Sequence, residues 1–361
     1  MKILITYATA GAGHKKAAEA LYHQIRDDED HQVVFADVLN YTSLFYKHSY
    51  SRTYTFLITR VPWAWGFFFK LLDQPWMLGV MTAARRLHNT INAWAFHRYL
   101  CQEQFDCIIS AHFLPNEVSA YLKRRGKIHS KIISVVTDYD VHRIWLSKGI
   151  DHYAVASDWT KDKIVSLGVD ESRVSVTGIP TDRKFSAEHN VQEIKERLDI
   201  QEGVFTVLIA TGSFGIGPIE EIVEKLDGIQ TLVICGHNKA LYERLSKKQD
   251  DLLKIYGFVD NMHELMEVAD AMITKPGGLS ISEALVTGLP LIFFHAIPGQ
   301  EENNVKVLAT YRVGVSGCSV KEMAAVLKEY QESFDAYRDA SYRAQHLGKP
   351  NAVQDVLALM G

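Results

Sequence analysis

Residues 272–304 read MITKPGGLSISEALVTGLPLIFFHAIPGQEENN, and the order of apolar and turn-forming segments in them decides the fold class. Ala271 to Thr274 has the apolar composition of a buried strand. Pro276-Gly277-Gly278 is a turn, and Leu279 to Thr287 carries helical apolar spacing that stops at Gly288, a C-cap position. The next apolar run is again a strand. Strand, glycine turn, helix and strand form one βα unit of a parallel sheet.

The chemistry of that unit points to a nucleotide ligand. A glycine pair before a helix lets the backbone approach a ligand closely, and the first N–H groups of the helix are unpaired donors at the positive end of its dipole. Diphosphate fits there. Gly277, Gly278 and Ser280 are the donor-side residues of this turn, and Glu283 in the second turn is placed to accept hydrogen bonds from two ribose hydroxyls. Glu283 reads equally well as a solvated helix glutamate. Pro298 to Asn304 follows the next strand after His295-Ala296-Ile297, where an open α/β sheet binds its ligand. Gln300, Glu301 and Asn304 are expected there to read sugar hydroxyls; the alternative is a polar helix N-terminus at Gln300.

This stretch resembles the nucleotide-sugar motif of inverting GT-B glycosyltransferases of family 28. The likeness is to the diacylglycerol glucosyl- and galactosyltransferases, the processive diacylglycerol β-glucosyltransferase and monogalactosyldiacylglycerol synthase group, with the lipid II N-acetylglucosaminyltransferase more distant. Lys275-Pro276-Gly277-Gly278 with Gly299-Gln300-Glu301 is its most specific part, and it spans nearly the whole chain. It implies a GT-B fold, two Rossmann-like domains with parallel sheets facing an interdomain cleft. The acceptor-binding and membrane-associating domain is expected over 1–180 and the UDP-sugar domain over 181–361, with the last helices free to pack back on the first.

Composition agrees with two folded domains: 361 residues, 47% of them hydrophobic and 23% charged, with a net charge of -4. The charge is uneven, since residues 41–135 hold twelve Lys/Arg against four Asp/Glu. Cys101, Cys107, Cys235 and Cys318 form no C-x-x-C pair, which fits a reducing compartment. No signal-like region follows Met1, and no apolar run approaches the roughly 18 residues of a membrane span. The expected location is therefore the cytoplasm, at the inner face of the cell membrane.

At the N-terminus, Lys2 to Thr9 is an apolar strand and Ala10-Gly11-Ala12-Gly13-His14 leads into a helix expected from about Lys15. A dinucleotide-binding reading, with Asp37 on the ribose, is weakened by Lys16 at the third glycine position. A plain glycine turn without ligand is the more serious alternative. His14 is the one side chain of the loop that carries a proton near neutral pH. In the resembled family, Gly11-Ala12-Gly13-His14 matches the loop whose histidine faces the acceptor hydroxyl, and His14 is the candidate general base. The resemblance also carries Thr137-Asp138, His142 and Trp145 onto motifs near the site. His112, at the end of the preceding strand, joins Gly11, Gly13, Asp138, His142 and Trp145 on the acceptor side.

Residues 41–76 hold twelve aromatic residues interleaved with Lys47, Arg52, Arg60 and Lys70, a composition suited to an anionic bilayer surface. Packing of the same aromatics within their own domain is the competing reading. Nothing in this stretch matches a nucleic-acid module. In the second half, Thr211-Gly212-Ser213 opens another glycine turn suited to phosphate, or a plain βα turn. The resemblance places Phe258 and Val259 near the uracil.

Retaining GT-B enzymes commonly carry a glutamate eight positions before the ribose glutamate; here that position is Lys275, which favours inversion. Lys275 would face the diphosphate, or be a surface lysine. Asp138-x-Asp140 resembles a metal-binding pair but lies away from the diphosphate turn, so neither metal nor cofactor is expected. The expected reaction is transfer of glucose from UDP-glucose to 1,2-diacylglycerol, giving a β-glucoside; no motif encodes whether one, two or more sugars are added. UDP-galactose as donor, a UDP-sugar epimerase and a non-catalytic UDP-sugar sensor are the alternatives.

Overall fold

Eleven strands among the described residues form two separate parallel sheets. The structure is a computed structural model describing residues 1–9, 11–43, 46–47, 49, 53, 56–57, 60–74, 76, 92–213, 215–226, 228–294 and 298–361. The sequence readings at Arg52 and at His295-Ala296-Ile297 lie outside the described residues.

The first sheet comprises β1 (Lys2–Tyr7), β2 (Gln32–Asp37), β3 (Cys107–Ser110), β4 (Lys131–Val135), β5 (His152–Val155) and β6 (Val174–Val176), in the order β2-β1-β3-β4-β5-β6. Helices cover both faces of a parallel sheet, so its central strands are apolar on both sides. Ile3, Leu4, Ile5, Ile108, Ile109, Ile132 and Ile133 are accordingly buried completely. Edge strand β2 begins exposed and buries only its last residues.

The second sheet comprises β7 (Thr206–Ala210), β8 (Gln230–Ile234), β9 (Leu253–Tyr256), β10 (Ala271–Thr274) and β11 (Leu291–Phe293), in the order β11-β10-β7-β8-β9. Val207, Ile209, Val233, Ile273 and Ile292 pack with Ile222 of the helix Ile219–Lys225 and Leu327 of the helix Val320–Glu332. The latter helix opens with a reciprocal cap between Ser319 and Glu322.

The chain forms two compact units: Met1–Asp182 with Ile297–Asn304 and Asn351–Gly361, and Arg183–Ala296 with Val305–Pro350. In the first unit the helix Ala352–Ala358 packs on the helix Ala12–Ile25. The ammonium of Lys131 reaches the Gly361 carbonyl at 3.0 Å.

Several local expectations change. The first helix begins at Ala12 rather than Lys15, so His14 lies inside its first turn. The helix Asp158–Ser166 is capped by Ser157, whose hydroxyl accepts the Thr160 N–H, while Asp158 occupies the first turn. Pro298 to Asn304 is no loop throughout: a turn at Pro298-Gly299 leads into the helix Gln300–Thr310. The Glu302 carboxylate accepts the Gly299 N–H, and Glu301 with Glu302 in the first turn suits the helix dipole. Gly299 has φ +92, and a side chain there would strike the Phe69 ring. Glycine is required at that turn.

Candidate active site

In each sheet the strand order reverses beside one strand, and ligands of open α/β sheets bind at the carboxyl ends of the strands where this happens. In the first sheet β1 lies between β2 and β3, so the loops after β1 and β3 emerge side by side. In the second, β7 lies between β8 and β10, which brings together the turns after β7 and β10. The three glycine-bearing segments singled out in the sequence therefore fall at topological switch points, one in the first sheet and two in the second.

In the first unit, the loop after β1 delivers Gly11, Gly13 and His14. His14 Nδ1 lies 2.9 Å from the Ala111 carbonyl oxygen, after β3, and 2.8 Å from Thr137 Oγ1, after β4. A carbonyl only accepts, so the Nδ1 atom carries the ring proton and Nε2 carries the lone pair. His14 is partly buried, and burial pushes its pKa down to about 4, with the Ala111 carbonyl acting in the opposite direction. His14 is thus neutral near pH 7.

His112 sits edge-on to His14 with ring centroids 4.8 Å apart, and Trp145 lies 6.2 Å from His14. His112 is buried, and its Nδ1 accepts the Leu114 N–H to cap the helix Phe113–Arg124. Burial, reinforced by His14, holds it far below the ordinary histidine range. Its role is to end a helix beside the base. His142 does the same for the short helix Arg143–Trp145, accepting the Ile144 N–H while its Nε2 donates to the Phe69 carbonyl at 3.0 Å. Burial, ahead of every other influence, lowers its pKa as well.

Gln300 and Asn304, expected to read sugar hydroxyls, are engaged in the first unit by Asp138. Asp138 Oδ2 accepts from Gln300 Nε2 at 2.8 Å and Oδ1 from Asn304 Nδ2 at 3.1 Å. Asn304 is completely buried, and its Oδ1 accepts the backbone N–H groups of Tyr139 and Asp140 at 2.9 and 3.1 Å. It therefore clamps the loop after β4. Glu301 is buried close enough to raise the Asp138 pKa, together with Asp140. Burial is the main cause, and it pushes Asp138 up to about 7 even though both amides favour the carboxylate. Asp140 accepts from Asn303 Nδ2 and pairs with Lys163. The two carboxylates of the D-x-D stretch face N–H donors and an ammonium.

Asp37, the ribose acid of the dinucleotide reading, accepts from the Thr9 hydroxyl at 2.6 Å and from the Leu39 N–H at 2.9 Å. Its carboxylate organises the end of β2. The aromatic stretch divides: Trp63, Phe67, Phe68 and Trp76 are exposed, whereas the Phe69 ring lies tilted against His142 with centroids 4.4 Å apart.

In the second unit, Gly212 has φ +79, which favours glycine, and the Ser213 carbonyl accepts the His237 N–H at 2.8 Å. Gly277 precedes the helix Gly278–Val286, whose N-terminus has neither a side-chain cap nor an acid in its first turn. A side chain at Gly277 would meet nothing within 4 Å, so the protein's own packing does not demand glycine there. Ser280 and Glu283 lie on this helix, partly buried. Lys275, also partly buried, has no ion-pair partner among the described residues. Phe258 is exposed and stacks on His237 with centroids 4.5 Å apart and planes at 10°; Val259 follows it. This end of the sheet offers backbone donors, a cation and an aromatic face.

Sequence reasoning left the Ala111 carbonyl, Lys163 and His237 without roles. A strand-end position was the only signal for Ala111 and His237, whereas Lys163 lies on the helix Asp158–Ser166 and carried none.

Two parallel Rossmann-like sheets in succession, each with its switch-point loops, are the GT-B architecture, and comparison with known proteins gives the class. The model of monogalactosyldiacylglycerol (MGDG) synthase matches residues 14–181, and that of the glycosyltransferase family 28 C-terminal domain matches residues 206–330. MurG of Acinetobacter baumannii shares the fold, with a TM-score of 0.61 and 15% identity over 99% of both chains. The processive diacylglycerol beta-glucosyltransferase of Bacillus pumilus is 30% identical over 339 residues, covering 87% of this chain and 82% of that protein. Its Bacillus subtilis counterpart is 36% identical over 210 residues, an alignment spanning 56% of this chain and 54% of that relative. The chain belongs to the family of diacylglycerol glycosyltransferases that these two proteins represent.

Proposed function

We propose that this protein transfers glucose from UDP-glucose to the free hydroxyl of 1,2-diacylglycerol with inversion, forming a β-glucoside. The observation that carries the reading is the tautomer of His14, whose Nδ1–H faces Ala111 and Thr137 and whose Nε2 holds a lone pair. Nε2 takes the acceptor proton as the acceptor oxygen attacks the anomeric carbon. The bond from that carbon to the β-phosphate oxygen breaks, and UDP leaves with the electron pair. The N–H groups after Gly277 and Gly278, Ser280, the Ser213 hydroxyl and Lys275 stabilise the charge on UDP, as preorganised donors do. Glu283 holds the ribose and Phe258 with Val259 the uracil. No step in this scheme requires a metal.

The matched MGDG synthase model covers the half that carries the base, so it supports the lipid acceptor independently of the sugar. Galactose as donor remains the second reading on the strength of that same match. Extraction of the lipid product made with each UDP-hexose, followed by proton NMR of the anomeric centre, tests both. A β-linked glucosyl lipid is expected, with higher glucosyl lipids if transfer repeats. An α-linked product would overturn the single-displacement mechanism.

The acceptor is a membrane lipid, and no helix among the described residues is long and apolar enough to cross a membrane. Trp63, Phe67 and Lys70 share one exposed face of the helix Pro62–Leu72, and at the flank of that face a side chain at Gly66 would strike Pro298. We assign that exposed face, with Phe68 and Trp76, to an anionic membrane surface on the cytoplasmic side. Replacing Trp63 and Phe67 together by alanine is expected to weaken binding to anionic vesicles about tenfold or more. Sedimentation with vesicles at low and high salt measures it; unchanged binding would return these aromatics to another role.

A further inference from the structure

We propose that Thr137 is a positioning residue for the general base, holding His14 in the reactive tautomer and stabilising the imidazolium formed when His14 takes the acceptor proton. The inference deepens the assignment of His14 and rests on it. Thr137 follows β4, 5% exposed, and its Oγ1 stands 2.8 Å from the His14 nitrogen that also faces the Ala111 carbonyl. Because Ala111 fixes the proton on Nδ1, the Thr137 oxygen lies against the same N–H. That N–H is shared between two neutral oxygens from two different strand ends.

The arrangement replaces the carboxylate that orients many catalytic histidines. A carboxylate at this place would raise the histidine pKa and leave it protonated in part of the working pH range. Two neutral oxygens orient the ring as firmly but stabilise its cation less, which keeps the resting base neutral. When the proton arrives, the N–H becomes more acidic and both contacts strengthen, since hydrogen bonds to charged groups are roughly twice as strong as neutral ones.

The other groups around His14 leave this task to Thr137 and Ala111. His112, from the segment after β3, is held neutral by burial. Asp138, next to Thr137, is bonded to Gln300 and Asn304. Trp145 presents a ring, and on the same helix as His14 the ammonium groups of Lys15 and Lys16 pair with Glu19.

The test uses the full chain with Thr137→Val, which keeps the volume and removes the hydroxyl, and Thr137→Ser, which keeps the hydroxyl. The valine variant is expected to lower kcat about 10- to 100-fold with unchanged KM for UDP-glucose. Its acid limb is expected to move to lower pH, because the imidazolium loses one acceptor. The serine variant is expected to recover most of kcat. A purely structural role would scale the whole pH profile without moving its limb, and that result would overturn the proposal. So would a serine variant as impaired as valine.

Nitrogen-15 NMR of the histidine ring, assigned by the loss of its signal in His14→Ala, gives a readout that needs no turnover. Nδ1 protonation and a lower His14 pKa in Thr137→Val are expected. An unchanged pKa would overturn the positioning role even if His14 is the base, whereas full activity of His14→Ala would overturn the base assignment itself.

Discussion

His14→Ala is expected to lower kcat about a thousandfold and to leave the affinity for UDP unchanged. General bases contribute roughly 10²- to 10⁴-fold, and the middle of that range fits a base acting in a single-displacement step. The UDP-binding groups proposed above, at Gly212, Ser213, Gly277, Gly278, Ser280 and Glu283, belong to the second unit, and His14 belongs to the first. Removal of the imidazole should therefore leave UDP titration as in wild type while turnover collapses. The same side chain affects stability with a definite sign. Its pKa is lowered in the folded state to about 4, so folding disfavours the protonated ring. Its contribution to stability is full above the ordinary histidine pKa and is lost as pH falls from about 6.5 through 4. His14→Ala should lose turnover and yet show a shallower fall in melting temperature over that acid range.

Asn304→Ala is expected to destabilise the first unit by about 3 to 5 kcal/mol, lowering the melting temperature by roughly 10 °C. The completely buried side chain satisfies the N–H groups of Tyr139 and Asp140 and donates to Asp138. Alanine leaves two buried backbone donors and one carboxyl oxygen without these contacts, the situation in which hydrogen-bond deletions are most costly. Thermal melts monitored by circular dichroism measure the effect. A change within about 0.5 kcal/mol, the ordinary range for surface substitutions, would mean that this residue does not clamp the loop after β4. Asp138 has its own pH dependence. Its pKa is raised by burial to about 7, so its contribution to stability is full below the ordinary carboxyl range and lost as pH rises through 7. That slope is opposite in sign to the one from His14.

These two residues mark how far sequence reasoning reached. The strand–turn–helix–strand unit around Pro276-Gly277-Gly278 was legible because β10 and β11 are uninterrupted apolar runs and the helix between them ends at Gly288, where φ is +72. His14 was legible as the titratable side chain of a glycine-bearing segment. Its tautomer was not, since that depends on Ala111 and Thr137, more than ninety residues away in the chain. Asn304 was placed among the sugar-reading groups because it follows a strand, but its partners lie at Asp138, Tyr139 and Asp140, and no local pattern predicts that pairing. The helical start at Gln300 was legible only as the alternative to a sugar-reading loop, because Pro298-Gly299 ordinarily marks a turn. The Glu302 side chain bonded back to Gly299 was the sequence signal for it, a glutamate three residues beyond the capping position. In the aromatic stretch, composition alone does not divide exposed Trp63 and Phe67 from Phe69 packed against His142; the helical register does.

The most direct test of the central claim is UDP release by the purified full-length chain supplied with UDP-glucose, with and without 1,2-diacylglycerol in anionic vesicles, for wild type and His14→Ala. The account predicts release that requires the lipid and is almost abolished in the variant. Absence of lipid-dependent release with both UDP-glucose and UDP-galactose would contradict the acceptor assignment, and undiminished release by His14→Ala would contradict the base.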